Sequence, residues 1–328
     1  MKLRWGLLST ASINDVILKS CGDCAATEFV AVASRELERA RTYAQARGIA
    51  RAWGSYRELL EDPTVDAVYV SVPNGLHMQW VMAALAAGKH VLCEKPLSRH
   101  EAEIAAAYEV AERANLVFGE AFMYRHHPQT DLIVDLVASG AVGELRTLLS
   151  THTWRMPLSE YGQRLPAELD AGSLMDNGSY QVGMSRLLAG NPVSVSGAQV
   201  LHATGVDMRF AGTLRFRHDV IAQFDCGMDL PWRNRLEIVG ADASLILDDP
   251  WHCRAATVRL RDGEDMREIP VPPGDPYRLE FEAFARAVDG EHVAAFDKLD
   301  ALAQARVITA LYESAELGRD VSLPDDAA

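Results

Sequence analysis

An apolar run at 90–93 is followed at once by Glu94-Lys95-Pro96, which sets a carboxylate beside an ammonium where proline forces the chain to turn. A lysine so placed can polarise an oxygen or help move a proton; read alone, the pair is equally a surface salt bridge. A second group is Asp176-Asn177-Gly178-Ser179-Tyr180. If the helix around 181–188 begins early, Asp176 and Tyr180 share a face with Asn177 adjacent, and such a face can meet a polyol. The alternative is an N-cap aspartate with a half-buried core tyrosine.

Chemistry of this kind needs elements to hold it. Short apolar runs at 3–9, 29–34, 67–72, 90–93 and 116–119 alternate with helical patterns such as 36–47 and 75–87. Strands continuous in apolar character imply burial on both faces, hence an α/β, doubly wound parallel sheet. After a helix at 129–139 the rhythm changes to near-alternation at 145–155, 193–202, 213–218, 220–226 and 236–239, the pattern of an antiparallel sheet. Helices at 279–289 and 299–317 follow. The boundary near 122–127 gives two domains, 1–122 and 123–328.

Ligands of open α/β sheets bind at the carboxyl ends of the strands. The first such end reads Ser9-Thr10-Ala11-Ser12-Ile13-Asn14, with Ser9, Ala11 and Asn14 at the positions of a dinucleotide fingerprint's small residues. Ser and Ala still let backbone approach a pyrophosphate, and the hydroxyls of Ser9, Thr10 and Ser12 are donors at a helix start; an ordinary first turn is the competing account. The second run ends at Ser34-Arg35, with Arg39 one turn later. Cations and hydroxyls there suit the 2′-phosphate of NADP, whereas NAD calls for an acid, so NADP is favoured over the start of a solvated helix face. The run at 67–72 leads into Ser71-Val72-Pro73-Asn74-Gly75-Leu76-His77, by itself a helix start.

The remaining composition excludes other classes. With 32 Lys+Arg against 46 Asp+Glu, the net charge of −14 repels polyanions, so nucleic acid is not expected as a partner. No apolar run is long enough to span a membrane and no secretory core is seen, so a cytoplasmic location is expected. Cys21 and Cys24 form a C-x-x-C without a second pair; with five cysteines in all, reduced core and loop thiols are expected. His126, His127 and His152 do not stand at a ligand spacing, and no metal is expected.

Glu94-Lys95-Pro96, the segment 71–77, Ser34-Arg35, the segment 176–180 and Glu120-Ala121-Phe122-Met123-Tyr124-Arg125 together resemble the Gfo/Idh/MocA family of glucose-fructose oxidoreductases and inositol dehydrogenases over nearly the whole chain. Tyr180 stands where many members carry histidine, which aligns the chain with the NADP-dependent branch that holds xylose dehydrogenases and dimeric dihydrodiol dehydrogenase. The resemblance implies a Rossmann domain, a C-terminal α+β domain with a large open, mainly antiparallel sheet, and a homodimer or homotetramer paired through that sheet. It implies cofactor contacts from Ser9, Thr10, Ala11, Ser12, Ile13, Ser34, Arg35, Arg39, Ser71, Pro73, Asn74, His77, Glu94 and Lys95.

The expected activity is hydride transfer between NADP and a sugar or polyol carbon. Tyr180 would serve as acid/base; Lys95 would polarise the substrate oxygen and lower the phenol's pKa, with Glu94 either orienting Lys95 or contacting the cofactor amide. Arg125, Trp154, Asp176 and Asn177 are candidate substrate contacts, with Arg155 and Trp232 as further lining. The loop at 156–170 would set the sugar. A trans-dihydrodiol or dicarbonyl oxidoreductase is the runner-up, and a non-catalytic NADP-binding sensor the reading from another class.

Overall fold

A computed structural model describes residues 2–157, 162 and 165–324. Six strands, β1 (Leu3–Leu8), β2 (Thr27–Ala33), β3 (Arg51–Trp53), β4 (Ala67–Val70), β5 (His90–Glu94) and β6 (Phe118–Ala121), form a sheet in the order β3-β2-β1-β4-β5-β6. Every pair in it is parallel. All four residues of β4 are buried, as a sheet covered on both faces requires. The connecting helices are α1 (Ile13–Ser20), α2 (Leu37–Arg47), α3 (Tyr56–Leu60), α4 (His77–Ala86) and α5 (Glu101–Ala114). A capping box starts α3, Ser55 accepting from Glu58 N while the Glu58 carboxylate accepts from Ser55 N, and α2 stops at Gly48 with φ 68°. Strand β3 was not among the expected runs. Its three half-buried residues are too few to show a period.

The second sheet has nine strands: β7 (Leu145–Arg155), β8 (Ser194–Leu201), β9 (Asp207–Arg215), β10 (Ile221–Gly227), β11 (Asp229–Gly240), β12 (Ser244–Leu247), β13 (Thr257–Asp262), β14 (Asp265–Pro270) and β15 (Val321–Ser322). Their order is β14-β13-β12-β11-β7-β10-β9-β8-β15, antiparallel except for β10 beside β7. The helices are α6 (Pro128–Ala138), α7 (Ser179–Ala189), α8 (Pro276–Val288) and α9 (Lys298–Leu317). On one face of this sheet, Leu311 of α9 lies so close over Gly197 and Gly212 that a Cβ at Gly197 would stand 2.6 Å from its carbonyl oxygen. On the other face Thr213, Gln223, Leu149 and Glu237 stand in register across β9, β10, β7 and β11, half-buried or exposed among the described residues.

The chain divides into two compact units, 1–123 with 275–302, and 124–274 with 303–328. The return of 275–302 to the first unit corrects the expectation of one break. Its cause is aromatic: Phe281 of α8 lies 4.6 Å from Trp5, 5.7 Å from Phe29 and 5.6 Å from Tyr69 between ring centroids, and Phe284 lies 5.2 Å from Trp5. Truncating a buried phenylalanine of this kind costs about 3–5 kcal/mol. Part of the loop at 156–170 lies outside the described residues.

Candidate active site

The strand order reverses between β1 and β4, the switch point at which open α/β sheets bind ligands. There Ser9 adopts φ 130°, a conformation that favours glycine, at the first fingerprint position. Side chains hold it. The Ser9 hydroxyl donates to Ser71 O (2.9 Å) and accepts from Ala11 N (3.1 Å), Asn14 Nδ2 donates to Ser9 O (3.0 Å), and the Ser71 hydroxyl donates to Asn14 Oδ1 (2.8 Å). This corrects the expectation that Ser9 turns its hydroxyl to a ligand, because that hydroxyl is buried and engaged within the protein. Thr10, Ala11 and Ile13 are half-buried and Ser12 is exposed at the start of α1.

Ser34 is buried and donates its N–H to Trp53 O (3.1 Å), so it shapes the end of β2. Arg35 and Arg39 are exposed beside it. Arg39 Nε donates to Thr10 Oγ1 (2.8 Å), carrying a guanidinium from α2 to the first turn. Burial raises the Tyr56 phenol's pKa, and the nearby charges of Arg35 and Arg39 oppose the rise. Two guanidiniums and a hydroxyl gathered at the end of β2 are the donor set a phosphate dianion needs, so the residues present fit NADP.

Lys95 is half-buried at the end of β5. The residues around it are pinned one after another: Lys95 N donates to Glu94 Oε2 (3.2 Å), Pro96 O lies 2.8 Å from His77 Nδ1, and Leu97 N donates to Glu120 Oε1 (3.0 Å). Glu94 also accepts from the Tyr69 hydroxyl. Burial, then the charges of Glu94 and Glu280, push the Tyr69 phenol well up. Glu280 of α8 is 1 % exposed; burial and the neighbouring Glu94 charge push its carboxyl well above the usual range. Nothing in the sequence pattern singled out Glu280. Pro73 is exposed and Asn74 half-buried, while His77 is 1 % exposed with both ring nitrogens against backbone oxygens, which removes it from the expected cofactor contacts.

In the second unit, one π-helical turn, Leu174–Gly178, leads into α7. Asp207 anchors it by accepting from Leu174 N (2.8 Å), the Ser173 hydroxyl (2.8 Å) and the Tyr312 hydroxyl (2.9 Å). Burial raises the Asp207 carboxyl's pKa even against these donors. Gly172, at φ 144°, makes room: a Cβ there would stand 2.0 Å from Asp207 Oδ1. Asp176 is half-buried in the turn. Asn177 is 3 % exposed and donates to His152 O and Gly227 O, both at 3.3 Å, so it fastens the turn to β7 and β10 and does not face a substrate as expected.

Tyr180 is surrounded by rings. His152 lies 5.5 Å away edge-on, Tyr124 5.9 Å and Trp251 6.1 Å. His152 also meets Trp232 at 6.3 Å and His252 at 6.0 Å. Trp232 is 58 % exposed, which leaves a ring face available to a sugar. Trp154 packs instead against the small core of Met156, Leu165, Val206, Met208 and Met228. Arg125 is half-buried in the turn Met123–His126, and Arg155 is exposed. The sequence reading missed Trp251 and His252; the aromatic pair just after Asp249-Pro250, at the end of β12, was the available signal. His252 pairs with Asp249 (3.3 Å), whose carboxyl is held low by that hydrogen bond and charge against the opposing effect of its burial. Cys21 and Cys24 are free and buried, with burial pushing the Cys21 thiol up. Among the described residues no His, Cys, Asp and Glu side chains gather to hold a metal, and no helix is long and apolar enough to cross a membrane.

Residues 11–122 match the family model described as the Gfo/Idh/MocA oxidoreductase family, NAD-binding Rossmann fold, and residues 131–246 match the Gfo/Idh/MocA C-terminal domain. D-xylose 1-dehydrogenase (NADP(+)) 2 of Haloferax volcanii is 36 % identical over 326 residues, covering 98 % of this chain and 100 % of the relative. A 3-ketoreductase from Actinomadura kijaniata, solved with NADP and TDP-benzene, superposes with TM-score 0.90 at 30 % identity over 99 % of this chain and 100 % of that one. Aldose-aldose oxidoreductase from Caulobacter crescentus, solved with glycerol, gives TM-score 0.90 at 25 % identity over 98 % and 100 %. Two matched domains in sequence order and full-length likeness agree with the sheet topology and the Lys95 turn: this chain belongs to the Gfo/Idh/MocA oxidoreductase family.

Proposed function

We propose that this chain is an NADP-dependent sugar or polyol oxidoreductase in which Tyr180 is the acid/base and Lys95 assists it. The observation that carries the reading is Lys95 itself, a cation on the carboxyl edge of a dinucleotide-type sheet with its turn pinned on both sides. NADP supplies or accepts the hydride. Arg35, Arg39 and Thr10 hold its 2′-phosphate, and residues 10–13 present the start of α1 to its pyrophosphate. Lys95 polarises the substrate oxygen and lowers the pKa of the Tyr180 phenol, which exchanges the proton. The exposed Trp232 face packs on the apolar side of a sugar ring, and Asp176 accepts from its hydroxyls. The face of the nine-stranded sheet that carries Leu149 pairs two copies, with that side chain, 39 % exposed, at its centre.

The test is near-ultraviolet absorbance of reduced nicotinamide with NADP or NAD and a panel of aldoses, polyols, keto-sugars and trans-dihydrodiols. Turnover with NADP and a sugar is expected. Turnover with the diols alone selects the runner-up chemistry, whose flat rings also suit the aromatic surround of Tyr180. NADP binding by protein fluorescence with no turnover across the panel would select a sensor. Light scattering of the purified protein checks the pairing, and a monomer at micromolar concentration would sink it.

A further inference from the structure

We infer that His77 is a positioning residue for Lys95, donating from both ring nitrogens to the carbonyl groups through which the chain leaves β4 and turns after β5. The inference rests on the reading of Lys95 as a catalytic group. His77 is the first residue of α4, 1 % exposed, with Nδ1 2.8 Å from Pro96 O and Nε2 2.9 Å from Val72 O. A carbonyl oxygen has no proton to give. Both nitrogens must therefore carry hydrogens, because a neutral ring would leave one nitrogen lone pair facing an oxygen lone pair at hydrogen-bond distance. A doubly protonated imidazole, buried at a helix start, is not a default arrangement, since burial and the helix dipole both oppose its charge. Two short charge-assisted bonds offset that cost.

The two carbonyls explain the need. Among the described residues the β4–β5 ladder ends at Val70 and Cys93 and the β5–β6 ladder at Glu94 and Ala121, yet Val72 and Pro96 are buried and their oxygens still require donors. One imidazole satisfies both and so fixes the separation of two adjacent strand exits. Glu94 and Glu120 hold the N–H groups of Lys95 and Leu97, while His77 lies against the Pro96 carbonyl and ties this turn to the exit of β4. Removing it takes the donor from the Pro96 carbonyl and leaves Glu120 at the Leu97 N–H to hold that peptide, so the turn loosens and the direction of Lys95 with it.

The experiment combines two spectra with kinetics. Nitrogen NMR of the labelled protein, with His77 assigned by His77→Gln, should show both ring nitrogens protonated; one protonated nitrogen overturns the inference. The chain has five lysines, so reductive methylation with labelled carbon gives few signals, and Lys95→Arg assigns the one that matters. In His77→Gln and His77→Asn the Lys95 signal should move or split, while NADP binding stays within about twofold and kcat falls about 10- to 100-fold. A tenfold loss of NADP affinity with the Lys95 signal unmoved would make His77 a cofactor contact instead. An unmoved signal with unchanged kcat would make it a packing residue. If Lys95→Ala retains turnover, the functional reading fails, whereas the two spectra still decide whether His77 positions Lys95.

Discussion

Around Lys95 the backbone is held by hydrogen bonds from Glu94, His77 and Glu120, whereas Tyr180 is cushioned by the rings of His152, Tyr124 and Trp251 and its helix start hangs on one carboxylate, Asp207. Hydrogen bonds are directional and lose strength over a few tenths of an ångström. Ring contacts at 5.5–6.1 Å between centroids slide with little penalty. The backbone that carries Lys95 is thus fixed in direction, while Tyr180 sits among contacts that tolerate small shifts.

The largest effect should come from Tyr180→Phe, which keeps the ring packing and removes the proton. Its kcat is expected to fall about 10²- to 10⁴-fold with NADP affinity within about twofold and an unchanged melting temperature; steady-state kinetics beside fluorescence titration decides, and near-normal turnover would take Tyr180 out of the chemistry. Next, Asp207→Ala strips the acceptor from three donors and should cost about 2–4 kcal/mol in urea unfolding. A loss under about 0.5 kcal/mol would show that the π-helical turn is held by something else. Arg35→Ala should weaken NADP about 10- to 100-fold and leave NAD within about twofold; equal weakening of both would break the assignment of the 2′-phosphate.

The smallest effect concerns the buried carboxyl beneath the Lys95 turn. The Glu280 pKa is raised in the folded protein, so the folded state holds a proton that the unfolded chain releases above the ordinary carboxylate pKa. Its stabilising contribution is complete below that pKa and is lost as pH rises toward the folded value. Glu280→Gln, neutral at every pH, should therefore gain on the wild type by up to about 1.4 kcal/mol per pH unit across that window. Parallel stability curves for the two proteins would show that Glu280 is already ionised when folded.

Much of this comparison was legible in residue order and part was not, for physical reasons. Lys95 and Tyr180 stood out because their neighbours Pro96 and Asp176 mark a turn and a helix start, both local signals. The parallel sheet showed through continuous apolar runs, and the second sheet through the near-alternation that begins after the helix at 129–139. What stayed hidden depends on partners distant in sequence. Ser9 and Ser71 read as ligand donors until their hydroxyls are seen to meet each other across 62 residues. Asn177 read as a sugar contact until β7 and β10 take its amide. Glu280 carries no local pattern, and only its buried place beside Glu94 gives it meaning.

The return of 275–302 to the first unit has a consequence for the order of events during synthesis. Trp5, Phe29 and Tyr69 are made early, yet Phe281, against which all of them pack, leaves the ribosome after nearly the whole second sheet. At ordinary elongation rates that delay is about ten to fifty-five seconds. Through that interval the nascent nucleotide-binding segment carries an uncovered aromatic surface, a ready target for chaperones, and it becomes a finished domain only when the α8 segment arrives.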